Sequence, residues 1–230
     1  MKTPLTLSRI RGHLAYSWWK YVLLLIAVVM GGNLIFTVSR RQPKENEKVE
    51  LYIYAYGNEA PINEYLERVH TSELSDQKLI DTIWLTPDEA SGLMVLSTHL
   101  MAGEGDLVVL PREIFNTYAG QGLFEALEDL PGVMEAADAA GTNLERSWRK
   151  NTDSGERHLY GIPVRGMQLF SDSLYSTDEY YLSLRVYNGN EAASRRLLGM
   201  ILRDWLPGAS EVAGIQQLCA PSSAVEQGGK

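Results

Sequence analysis

The feature that most constrains this chain is an uncharged apolar run from Tyr21 to Val38. At 18 residues it sits near the lower limit for a helix that crosses a hydrocarbon core. Tyr16, Trp18, Trp19 and Tyr21 cluster at its start, where amphipathic rings favour the headgroup layer, and Lys20 can snorkel from the same level. The rival reading is a cleaved secretion signal, which has a shorter apolar core of roughly 7–15 residues and a small-residue cleavage site. This run ends instead in Phe36-Thr37-Val38-Ser39-Arg40-Arg41, and no cysteine stands directly after it to carry a lipid. The expectation is an uncleaved single-pass anchor at 21–39 after a tail at 1–20, then a charged linker at 40–48, one domain at 49–206 and a flexible tail at 207–230. Lys2, Arg9, Arg11 and Lys20 before the run balance Arg40, Arg41, Lys44 and Lys48 after it, so the positive-inside rule alone does not orient the anchor. Ala27 and Gly31 have the small-xxx-small spacing that lets two helices approach, with Asn33 as a hydrogen-bonding partner, which suggests a homodimer through the anchor.

Charge is divided unevenly. Residues 1–48 hold eight Lys/Arg and two Asp/Glu, leaving 13 Lys/Arg and 27 Asp/Glu, a net −14, in residues 49–230. A domain this acidic repels phosphate backbones, which argues against nucleic acid as a partner. The single cysteine, Cys219, excludes an intrachain disulfide and a cysteine-rich zinc site, and reads as a small buried or tail residue. His13, His70, His99 and His158 are scattered without i, i+4 spacing, and there is no P-loop, nucleophile elbow or dinucleotide fingerprint. No metal, cofactor or enzymatic activity is expected.

Past the linker the pattern changes to alternating strands and helices. Val49–Tyr56 (VELYIYAY) is β-branched and aromatic and stops at Gly57-Asn58; Leu79–Leu85 is a second strand; Asp106–Leu110 is a continuous apolar run suited to a strand covered on both faces. Helical spacing recurs over Glu59–Val69, Glu89–Met101 and Arg112–Leu127, the last interrupted near Gly120 and Gly122. Residues 132–158 are weakly patterned. Leu159–Val164 is a brief extended piece, Tyr181–Tyr187 a strand, and Glu191–Leu206 the clearest helix, with Leu197, Leu198, Ile201, Leu202 and Trp205 on one stripe. Short connections between such elements imply an α/β fold with a mostly parallel sheet flanked by helices. Asn58-Glu59 and Asn190-Glu191 both follow a strand and open a helix, so both are expected at the carboxyl edge of the sheet, where open α/β folds bind ligands.

An ordered series of segments resembles a known family. Tyr52 to Gly57 gives a first strand and glycine; Met101 to Pro111 (MAGEGDLVVLP) is similar to a Gly-x-x-x-Asp-Val-Val strand; Phe115 to Asp129 (FNTYAGQGLFEALED) to a G-x-L-x-x-L-D-D stretch; and Tyr160-Gly161-Ile162-Pro163 to a G-I-P crossing segment. Together, over about residues 49–165, these resemble the extracellular solute-binding proteins of bacterial ABC importers, periplasmic-binding-protein type II-like, truncated to about one lobe. The resemblance implies a binding-protein-like lobe outside the cell, with the N-terminus cytoplasmic, a sugar as small-molecule ligand, and ABC permease subunits or another membrane protein as partners. Family members usually have two lobes that close on the ligand, so a lone lobe offers one wall and is expected to bind weakly. The alternative is a membrane-anchored interaction or scaffold protein that reuses the lobe without a ligand. Residues placed at strand ends are the ligand-binding candidates: Tyr56 and Asn58 after the first strand, Asp88 after the second, Arg112 after the third and Arg165 after the crossing segment. Aromatic faces stack on sugars, and Arg and Asp bind hydroxyls or carboxylates.

Overall fold

The computed structural model describes residues 18–20, 22–33, 47–87, 91–186 and 189–221. The chain divides into two compact units, Met1–Gln42 and Pro43–Lys230. In the first, residues 18–20 and 22–33 are helical (α1), and Leu24, Leu25, Val28, Val29 and Met30 are exposed. Among the described residues no helix is long and apolar enough to cross a membrane. Tyr21 and residues 34–39 of the expected anchor lie outside the described residues.

In the second unit, a five-stranded sheet has the order β2-β1-β3-β7-β6. Its strands are β1 (Lys48–Tyr54), β2 (Leu79–Leu85), β3 (Leu107–Pro111), β6 (Ile162–Pro163) and β7 (Tyr180–Leu184). A separate hairpin joins β4 (Trp148–Lys150) to β5 (Arg157–Leu159). The period of two along a strand sends alternate side chains to opposite faces. Val49, Leu51 and Ile53 of β1, with Leu107, Val109, Leu182 and Leu184, form one core under α2 (Ala60–Ser72), α5 (Val133–Ala139), α6 (Gln168–Ser173), α7 (Glu191–Trp205) and α8 (Ala213–Cys219). Tyr52, Tyr54, Val108, Leu110 and Tyr181 form the other under α3 (Gly92–Ala102) and α4 (Arg112–Gly120). Both faces are covered, which is why β3 reads as an unbroken apolar run.

The sheet is mixed rather than mostly parallel. β1 runs parallel to β2 and to β3, whereas β7 is antiparallel to both β3 and β6. The cause is the segment 164–179, which leaves β6 at the carboxyl edge, turns across that edge and re-enters the sheet as β7 from the same side. A strand that starts where its neighbours end must run against them.

That reversal also corrects the placement of the two Asn-Glu helix starts. Asn58 lies at the carboxyl edge, beyond β1. Asn190 follows β7 and lies at the opposite edge, where its Nδ2 donates to the Lys48 carbonyl (2.7 Å) and to Gln77 Oε1 (2.8 Å). Its side chain makes no cap hydrogen bond to α7.

Two regions are more ordered than their composition suggests. Residues 132–158 supply α5 and most of the β4–β5 hairpin. Within the expected flexible tail, residues 209–219 form a 3-10 turn and α8, which buries Ile215, Leu218 and Cys219 against the core. Burial pushes the Cys219 thiol up to about 11, so it is not poised to ionise near neutral pH.

Candidate functional site

The carboxyl ends of β1, β2, β3 and β6 and the start of β7 share one edge of the sheet. The segment 164–179 lies across part of it as a strap. Met167, Leu169, Phe170 and Leu174 are buried and hold the strap to the core. At the tip of β1, the Asn58 N–H donates to the Ser173 carbonyl (2.7 Å) and the Tyr175 N–H to the Tyr56 carbonyl (3.0 Å), around an antiparallel bridge between Gly57 and Leu174. Gly57 is required there by space: a Cβ would stand 2.1 Å from the Ser173 oxygen and 2.9 Å from the Trp84 ring. Trp84 is itself pinned by a hydrogen bond from Nε1 to the Ala55 carbonyl (2.8 Å).

Beyond the strap the edge opens into a polar pocket of about 570 Å³, lined by Thr142, Asn143, Arg146, Arg165, Asp178 and Glu179 among others. Glu179 organises it. Its Oε1 accepts from Arg112 Nη1 (2.7 Å) and Arg146 Nη1 (3.0 Å), and its carbonyl accepts from the Arg112 N–H (2.8 Å). It is the one non-glycine residue with positive φ among those described (+62°), a backbone conformation that costs energy and tends to persist where surroundings over-determine it. Arg165 Nη1 lies 3.6 Å from Asp178 Oδ1, a loose ion pair on an exposed rim. Beneath, Tyr181 stacks on Phe115 (4.5 Å between centroids, 14° between planes), and the Arg149 guanidinium lies over the same Phe115 ring at 5.9 Å. Burial lowers the Arg149 pKa, with the nearby Tyr181 opposing and Arg112 and Arg157 reinforcing the shift. Like charges therefore gather at this end of an otherwise acidic domain.

The residues expected from sequence are distributed unevenly over this geometry. Arg112 and Arg165 converge on the Asp178–Glu179 pair. Tyr56 and Asn58 do not line the pocket; they serve the strap, and the Asn58 carboxamide accepts from the Ala60 N–H (3.1 Å) as a local turn at the start of α2. Asp88 lies outside the described residues. The sequence reading missed Arg146, Asp178 and Glu179. Asp178-Glu179 directly before a strand was a visible signal, but no pattern marks a left-handed glutamate.

No family model matches the chain, and no curated protein matches it. Among solved structures, it is similar to an extracellular solute-binding protein of family 1 from Alicyclobacillus acidocaldarius (19% identity, 50% of this chain and 27% of that one, TM-score 0.40). It is likewise similar to an ABC substrate-binding protein from Listeria monocytogenes in complex with cycloalternan (18% identity, 50% and 28%, TM-score 0.34) and to a de novo designed esterase (17% identity, 52% and 28%, TM-score 0.37). The chain thus spans little more than a quarter of the length of these proteins.

Proposed function

We propose that the chain is a membrane-anchored, extracellular solute-binding-like protein, acting as an accessory of an ABC-type sugar importer or as a nutrient sensor. The observation that carries this reading is the charged pocket at the carboxyl edge of the sheet, of a size that suits a small ligand and open on one side. Arg165, Arg146, Asp178 and Glu179 supply hydrogen-bond donors and acceptors for it, and Arg112 sets the Glu179 carboxylate. Anchoring through residues 21–39, with the N-terminus in the cytoplasm, rests on the uncharged apolar run and its aromatic flank. Calorimetry of the full chain in detergent against a panel of sugars tests the binding role: heat at millimolar ligand is expected, and none from any sugar would remove it. Protease added to intact protoplasts is expected to digest the domain; full protection would reverse the topology.

A second reading, a ligand-free interaction protein, is favoured by the strap over the β1 tip and by exposed Leu93, Met94 and Met101 on α3. Crosslinking in membranes separates the two, because this second reading requires a protein neighbour or a second copy, and recovery of monomer alone counts against it.

A further inference from the structure

We infer that the Arg146–Arg165 pocket selects a small hydroxylated carboxylate, the chemical class of the uronic acids, over a neutral sugar; this rests on the solute-binding reading. The pocket lining sets two guanidiniums against two carboxylates, and Arg112 adds a third guanidinium through Glu179. Their donors are far from used up. Among the described residues, Arg146 gives one hydrogen bond, from Nη1, and Arg165 makes only the 3.6 Å ion pair with Asp178, out of five N–H donors that each guanidinium carries. Arg165 is also 78% exposed, so its fork can turn to meet a carboxylate without breaking a packed contact. The acceptor side is equally incomplete. Both guanidinium hydrogen bonds to the Glu179 side chain fall on Oε1, which leaves Oε2 for a hydroxyl, and Asp178 holds its cation loosely.

A neutral polyol can offer the guanidiniums only single hydroxyl acceptors, whereas a carboxylate meets a guanidinium fork with two parallel, charge-paired hydrogen bonds; a simple anion brings no hydroxyl donors for the two carboxylates. A molecule with one carboxylate and several hydroxyls uses both halves. The left-handed Glu179 fits this assignment, since its strained backbone is what aims one carboxylate at two arginines.

The test is calorimetry or ligand-observed NMR on the full chain in detergent micelles, with D-glucuronate, D-glucose and acetate as separate probes. D-Glucuronate is expected to bind in the millimolar range, at least tenfold tighter than glucose or acetate, and to weaken as salt is raised. Arg165→Ala is expected to weaken glucuronate about tenfold with an unchanged melting temperature, because the side chain is exposed. Glucose binding as tightly as glucuronate would overturn the charge selectivity while leaving the solute-binding role standing. An Arg165→Ala variant that retains full glucuronate affinity, or no glucuronate binding at all, would overturn this inference too. The sugar panel then decides the broader role separately.

Discussion

Asp106 gives the sharpest stability test. Only 5% of it is exposed, and its carboxylate accepts the Glu50 N–H at 2.7 Å where β1 and β3 begin. Burial pushes its pKa from 3.8 up to about 7, against the pull of that N–H and of the Ser194 hydroxyl. The Ser194 hydroxyl is shared between this carboxyl and the Asn190 carbonyl, to which it donates at 2.8 Å. Because the folded chain holds a proton that the unfolded chain releases between pH 3.8 and about 7, stability must fall as pH rises through that window. About three pH units at about 1.4 kcal/mol each give a ceiling near 4 kcal/mol, and water reaching the sheet edge brings a realistic figure to about 2 kcal/mol. Asp106→Asn copies the neutral acid: its amide oxygen accepts the Glu50 N–H and its NH₂ can donate to Ser194. Urea unfolding from pH 4 to pH 8 should show the variant close to the parent at pH 4 and about 2 kcal/mol more stable at pH 8. Parallel pH curves for the two proteins would refute the reasoning, since the buried carboxyl would then be ionised throughout.

Other sites give independent tests. Gly57→Ala drives a Cβ into the Ser173 carbonyl and should cost about 1–3 kcal/mol in thermal or urea melts; a neutral result would mean the strap is not held at the β1 tip. Phe170→Ala empties a fully buried position under the strap and should cost about 3–5 kcal/mol, with faster amide exchange at Leu174 and Tyr175 as the local signature. Arg203 holds Glu73 through two parallel hydrogen bonds of 2.8 Å and lowers its pKa, so this pair adds stability above the ordinary carboxylate range that is lost on acidification; Arg203→Ala should remove about 1 kcal/mol at pH 7 and less at pH 3. His158 is raised by its bond to Glu128 (2.7 Å), with burial opposing, so its contribution is complete below about pH 6.5 and fades as pH rises through the raised folded value. Measured in the Asp106→Asn background, His158→Ala should flatten the remaining fall in stability between pH 6 and pH 8.

Much of the architecture was legible because burial imprints a period on sequence. The strand Leu79–Leu85 falls where alternation and β-branching put it, and α7 buries Leu197, Leu198, Ile201 and Leu202 of the expected stripe. Strand direction was not legible, because a strand reads the same whichever way its neighbour runs; the antiparallel β7 follows from a strap whose turn no local pattern encodes. Helix α8 was hidden by the alanine and glycine that open it, although Ile215, Leu218 and Cys219 carry a faint i, i+3, i+4 spacing. The candidate site was half legible. Arg112 and Arg165 were found by counting forward from strand ends, while Arg146 comes from the weakly patterned stretch between α5 and β4 and meets them only through tertiary folding.

The strap and the pocket are consequences of one topological choice. Had the chain continued from β6 into a parallel strand, the strand ends would stand open and Asn190 would join Asn58 beside them. Instead the return across the edge spends Tyr56, Gly57 and Asn58 on holding the strap, and sends the N-terminus of α7 to the far side, where Asn190 ties β1 to Gln77. What the edge loses at β1 it regains at β7, because the strap ends in Asp178-Glu179 directly above the exits of β3 and β6, opposite Arg112 and Arg165. The proposed ligand pocket therefore depends on the returning segment, which brings Asp178 and Glu179 to this edge, and not on the tip of β1. Substitutions at Gly57 should register in stability, and substitutions at Arg165 in ligand affinity.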